Sequence, residues 1–141
     1  MLNTFKGYLP HLIFLQSLMA MLGSLYFSEI LNLPPCLLCW YQRIFMYPLV
    51  IISAVSIWKN DKNLPFFVLP LSLIGTVFAV YHNLLYYKMI PESLAPCTLG
   101  ISCTTIQIEL FGFLTIPLMS LLSFLIIDLL ALLYYRLNKT R

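Results

Sequence analysis

The chain has 141 residues, 61% of them hydrophobic and only 9% charged, with a mean hydropathy of +0.91. Soluble domains carry about 25% charged residues, so this much apolar side chain cannot be covered in water and the solvent must be lipid. A net charge of +3, scattered along the chain, excludes a nucleic-acid footprint, and the length allows one domain over residues 1–141, without repeats or low-complexity tracts.

Four stretches are long enough to cross a hydrocarbon core, which needs about 20 mostly apolar residues in a helix. The first covers residues 8–28, where only Tyr8, His11 and Tyr26 can titrate. Its apolar run is too long for a secretory h-region and lacks a convincing cleavage site, so we read it as a retained helix. The others cover residues 41–58, 66–87 and 113–135. Lipid offers the backbone no hydrogen bonds, so all four must be helices, giving an all-α four-helix membrane bundle with outer loops at 29–40 and 88–112. Pro48, Pro70 and Pro117 fall inside these spans and are expected to kink them. Tyr8, Trp40, Trp58, Tyr87 and Tyr134 lie near span ends, as an aromatic belt requires.

Orientation follows from the basic residues of the short loops. Lys6, Lys59, Lys62, Arg136, Lys139 and Arg141, six of the eight, fall on the side that holds both termini. The other side holds Lys88, with Arg43 just inside the adjoining helix. Both termini are expected in the cytoplasm.

All four cysteines then fall on the outer side, Cys36 and Cys39 in the first loop, Cys97 and Cys103 in the second. A cysteine used only for packing is an ordinary buried hydrophobe and would be scattered through the spans. Segregation to the oxidising face points to disulfide chemistry. Cys36-Leu37-Leu38-Cys39 is a C-x-x-C that follows Pro34-Pro35 and opens into the second helix. A helix N-terminus and the nearby Arg43 both favour the thiolate, the attacking form. Cys97 and Cys103 are separated by a turn containing Gly100, where a disulfide is feasible. Two static staples or a four-cysteine zinc site remain open as alternatives.

Arg43 lies one helical turn beneath Cys39 on the same face. It either snorkels to the headgroups or donates to the carbonyl of an electron acceptor and stabilises the charge that arrives. His82, in the outer half of the third span, either is a satisfied core residue or faces the same pocket. His11 is assigned no role, and Asp128 is expected to be solvated near the cytoplasmic surface. Thr104 and Gln107 fit a capping box, so a short interfacial helix is expected ahead of the fourth span, with Glu109 facing water or serving proton transfer. Repeated thiol oxidation needs an electron acceptor. The chain has no dinucleotide fingerprint, haem motif or iron–sulfur cysteine run. A diffusible quinone in the lipid beside Cys39 meets the need by elimination.

At Met21–Ile30 (MLGSLYFSEI), Pro35–Leu49 (PCLLCWYQRIFMYPL) and Phe111–Phe124 (FGFLTIPLMSLLSF) the chain resembles the DsbB family of disulfide bond formation proteins, in particular its short BdbC-type branch from Bacillus-like bacteria. The resemblance implies a multi-pass protein of the bacterial plasma membrane. It would re-oxidise an extracytoplasmic thioredoxin-like thiol–disulfide oxidase and pass the electrons to menaquinone or ubiquinone. It implies redox disulfides Cys36–Cys39, beside the quinone, and Cys97–Cys103, facing the partner, with Arg43 and His82 as quinone-binding residues. The chain departs from longer members in its compact second outer loop. A vitamin-K-epoxide-reductase-like oxidoreductase is the alternative enzyme, although that family has its redox motif at a later helix. A four-helix drug exporter would need an acid in the first span, which is absent there. A non-catalytic scaffold would leave the cysteines as permanent staples.

Overall fold

The computed structural model describes residues 2–94, 102–104, 109–110 and 112–139. Four long helices dominate: α1 (Leu2–Leu25), α2 (Leu37–Lys59), α3 (Leu64–Tyr86) and α4 (Ile116–Lys139). All four are long and apolar enough to cross a membrane. One π-helical turn, Tyr26–Ile30, extends α1 at its C-terminal end, and a 3-10 turn, Glu92–Leu94, follows α3.

The ends differ from the sequence reading where local chemistry decides them. Cys36, extended behind two prolines, caps α2, which therefore starts at Leu37 and takes Cys39 into its first turn. Asn60 closes α2 in the left-handed conformation (φ 49°), where a short polar residue is tolerated. Pro117 is the second residue of α4 and not an interruption, because a first-turn residue has no intrahelical N–H bond to lose. Pro48 and Pro70 do lie inside helices, as does Pro10.

Ahead of α4, strands β1 (Glu109–Leu110) and β2 (Leu114–Thr115) pair antiparallel, with Glu109 opposite Thr115 and Leu110 opposite Leu114. The reversal uses Gly112 at φ 78°, a conformation glycine adopts without a Cβ penalty. The interfacial helix expected here does not run into α4, since a paired strand precedes the turn. Gln107 and its expected cap lie outside the described residues.

The helices form a ring in which α1 and α3 each pack against α2 and α4. Leu9, Ile13, Leu49, Val68, Phe124 and Ile127 fill its centre. Large apolar side chains such as Met19, Ile51 and Val77 are exposed on the outside, where lipid is their natural solvent. Lipid tails are as apolar as leucine, so helices associate in a bilayer through close packing and polar contacts. The α3–α4 seam uses both. Gly75 lies so close to the Phe124 ring that a Cβ there would collide with it. Asn83 Nδ2, on α3, donates to the Pro117 carbonyl of α4 at 2.9 Å.

Asp128 corrects the sequence reading. It is buried in the α3–α4 seam, where the Ser72 hydroxyl donates to one carboxyl oxygen and Thr76 Oγ1 to the other at 2.7 Å. Hydropathy placed it by depth alone, whereas the turn of α4 aims it at two hydroxyls that replace water.

Candidate active site

The site is built around the start of α2. Proline lacks an N–H and disfavours a helical residue before it, so Pro34-Pro35 holds the chain extended up to Cys36. Cys36 has φ −70° and ψ 169°, and its Sγ takes the place of the usual capping oxygen by accepting the Cys39 N–H at 3.4 Å. The Cys36 carbonyl accepts the Trp40 N–H at 3.1 Å, which starts the helical ladder. This local fold brings the two sulfurs to 2.9 Å, with both cysteines as free thiols.

His82, on α3, reaches the same sulfur from inside the bundle. It is 2% exposed, and its Nε2 lies 3.7 Å from Cys36 Sγ and 3.3 Å from the Cys103 carbonyl. Gln42, one turn below Leu38, sets the tautomer. Its amide Nε2 donates to His82 Nδ1 at 3.1 Å, so the neutral ring carries its proton on Nε2, facing Cys36 and Cys103. Donors therefore converge on Cys36. The hydrogen bond from the Cys39 thiol, then His82, then the Cys39 N–H, hold the Cys36 thiol well below its ordinary range, against burial, which pushes it up.

On the other side of the dithiol lies an apolar cavity of about 300 Å³, walled by α1, α2 and α4. Cys39 lines it, with Arg43 and Tyr47 on successive turns of α2 below. Arg43 donates through Nη2 to the Ser24 carbonyl at 2.9 Å and lies 5.5 Å from the Trp40 ring centroid. Its Nε is buried without a hydrogen-bond partner, and Gly23 and Ser120 form part of the facing walls.

The structure thus splits the residues singled out in the sequence. Cys39 and Arg43 face the cavity. His82 does not line it but sits against Cys36, because α3 approaches the dithiol from the side opposite α1. Cys103 is buried and disulfide-bonded, and packs with Cys36, Leu38 and Leu85 in one cluster. Cys97 lies outside the described residues. The sulfurs of Cys36 and Cys39 and one His82 ring nitrogen fall within 4.8 Å of one another, a donor set suited to a thiophilic metal. Cys103 is in a disulfide and so offers no thiolate to a four-cysteine zinc site in this state. Sequence reasoning missed Gln42 and Tyr47. Gln42 shares a helix face with Leu38, and a polar residue on an otherwise apolar inward face was the available signal.

The family profile described as "Disulfide bond formation protein DsbB" matches residues 6–134, nearly the whole chain. The chain belongs to the DsbB family. It is a membrane thiol–disulfide oxidoreductase that works in disulfide bond formation. Among DsbB-family relatives, it is 44% identical over 113 residues to disulfide bond formation protein C of Bacillus subtilis strain 168, covering 79% of this chain and 80% of that one. It is 45% identical over 122 residues to a probable disulfide formation protein C of Halalkalibacterium halodurans, covering 86% and 89%. A probable disulfide formation protein of Metapseudomonas resinovorans is 38% identical over 126 residues, covering 89% and 88%. No solved structure matches the chain.

Proposed function

We propose that this protein re-oxidises an extracytoplasmic thioredoxin-like dithiol and delivers the electrons to a membrane quinone, with both its termini in the cytoplasm. The observation that carries the reading is the position of the thiol pair. Cys39 opens onto an apolar cavity among membrane-spanning helices, while Cys36 packs against Cys103 on the opposite side. The cavity suits a quinone ring: its wall is apolar, and Arg43 Nε is a buried donor without a partner. A bound quinone supplies the two-electron acceptor that thiol chemistry lacks.

The residues perform the rest. A partner thiolate attacks Cys97 of a Cys97–Cys103 disulfide, and the partner's second thiol resolves the mixed disulfide, leaving Cys97 and Cys103 reduced. Cys103 then attacks Cys36 of the Cys36–Cys39 disulfide and releases Cys39. Cys97 closes the loop disulfide by attacking Cys103, which frees Cys36. At this stage the pair nearest the cavity holds both electrons. Loss of those two electrons and two protons to the acceptor reforms Cys36–Cys39. His82 holds its proton between Cys36 and Cys103, placed to stabilise the Cys36 sulfur as a leaving group.

The test is quinone reduction by the purified protein supplied with a reduced thioredoxin-like dithiol. Arg43→Ala should raise the apparent KM for quinone about 10- to 150-fold, the loss expected for a charge-assisted contact. It should leave mixed-disulfide formation with the partner intact. Arg43→Lys should restore only part, because a point charge lacks the guanidinium fork. Thiol oxidation that proceeds equally well without quinone would refute the reading.

A further inference from the structure

We propose that Tyr47 is a second quinone-binding residue, whose hydroxyl donates a hydrogen bond to the carbonyl oxygen farther from Cys39. The proposal rests on the quinone reading above and specifies the ligand class as a 1,4-quinone.

Among the described residues lining the cavity, two carry a buried polar side-chain atom without a hydrogen-bond partner: Arg43 Nε and Tyr47 Oη. Both are donors. A buried donor left unpaired is costly, and more so in a bilayer, where no water relieves it. Phenylalanine would fill the same volume at position 47 without that cost. A site whose two orphaned donors share one cavity is therefore incomplete as it stands, and the missing partner is an acceptor at each.

The spacing selects the acceptor. Arg43 and Tyr47 are four residues apart on one face of α2, about 6 Å along the helix axis. The two carbonyl oxygens of a 1,4-quinone are on the order of 5 Å apart, two C=O bonds of about 1.23 Å plus the ring between them. A 1,2-quinone, with its oxygens side by side, matches one helical turn less well. Arg43 lies one turn below Cys39 and takes the proximal oxygen, and Tyr47, one turn deeper, takes the distal one. Two fixed donors along the helix would also set the ring's edge towards the Cys39 sulfur.

Infrared difference spectroscopy with menadione labelled with carbon-13 at one carbonyl at a time, bound to the full-length protein, tests this directly. Both carbonyl stretches should lie below their positions in free menadione. In Tyr47→Phe one of them should return to the free position while the other stays displaced, and the KM for menadione should rise about 3- to 10-fold, as for a neutral hydrogen bond. Exchange with the thioredoxin-like partner should not change. A wild-type spectrum with a single displaced carbonyl overturns the assignment without recourse to any variant. So does a Tyr47→Phe protein that keeps both bands and the wild-type KM. If the wild-type protein neither binds nor reduces menadione or ubiquinone-1, the quinone reading itself fails, and the Tyr47 assignment with it.

Discussion

Cys36 and Cys103 come from different interhelical connections, yet they pack in one buried cluster, with His82 Nε2 3.7 Å from the Cys36 sulfur and 3.3 Å from the Cys103 carbonyl. Thiol–disulfide exchange needs a thiolate within reach of a disulfide sulfur. In the Cys39→Ala variant Cys36 loses its partner, and its thiolate should attack Cys103 and trap a Cys36–Cys103 disulfide. Non-reducing peptide mapping would identify it as the dominant cross-link. A cross-link from Cys36 to Cys97 in its place would reverse the order of the relay.

The donors around Cys36 also set a pH dependence. A thiol lowered below its ordinary value keeps its thiolate as pH falls, whereas an ordinary thiol, with pKa about 8.5, loses about tenfold in reactivity per pH unit below that. In the reduced protein, the ultraviolet absorbance of the Cys36 thiolate, a readout that needs no reagent to reach the buried sulfur, should persist down to pH 7. Cys39→Ala removes the largest stabilising contact and should shift the profile to higher pH, with His82→Phe shifting it less. Identical profiles in all three proteins would show that these donors do not control the sulfur.

Gly23 offers a way to fill the cavity without disturbing the bundle. It lines the cavity, and a Cβ built on it meets no atom within 4 Å. Replacing a helical glycine also favours the helix, by about 0.5–1 kcal/mol for alanine. Gly23→Leu should therefore fold at least as well as wild type while quinone turnover falls at least tenfold, with Gly23→Ala in between. Full quinone turnover in the leucine variant would place the acceptor elsewhere.

Asp128 is read as a structural clasp between α3 and α4, satisfied by Ser72 and Thr76. Asp128→Ala removes the link to α4 and leaves the Ser72 and Thr76 hydroxyls only the carbonyls of Leu69 and Ser72 on their own helix, and the loss of such contacts costs about 1–3 kcal/mol in a buried site. Thermal unfolding in detergent should show the loss, with quinone reduction per folded molecule unchanged. A drop in turnover at normal stability would instead give Asp128 a part in the reaction.

Orientation can be read with introduced thiols, because Cys36 and Cys103 are themselves buried. In a variant with all four cysteines replaced by alanine, Met89→Cys should react with impermeant maleimide on intact cells. Lys62→Cys should react only after permeabilisation; both positions are exposed, at opposite ends of α3. The reverse pattern would invert the topology.

The sequence by itself determined the solvent, the number of spans and the segregation of the cysteines, because these depend on composition and on one-dimensional spacing. The C-x-x-C behind two prolines likewise sufficed to place the thiol pair at the entry to the second helix, since the effect of proline on its neighbours is local. It did not determine which side of the dithiol each polar residue would occupy. Arg43, Gln42 and Tyr47 lie within six residues on one helix and all border the cavity, yet it is Gln42 whose amide reaches across to His82. That division depends on how α3 and α1 pack against opposite faces of α2. Depth along the chain suggested a solvated Asp128 and left His82 open between a core position and the pocket, and packing sent the first to two hydroxyls and the second to Cys36. Hydropathy averages around a helix axis, whereas the direction in which a side chain points is decided only when a neighbouring helix presents it with a partner.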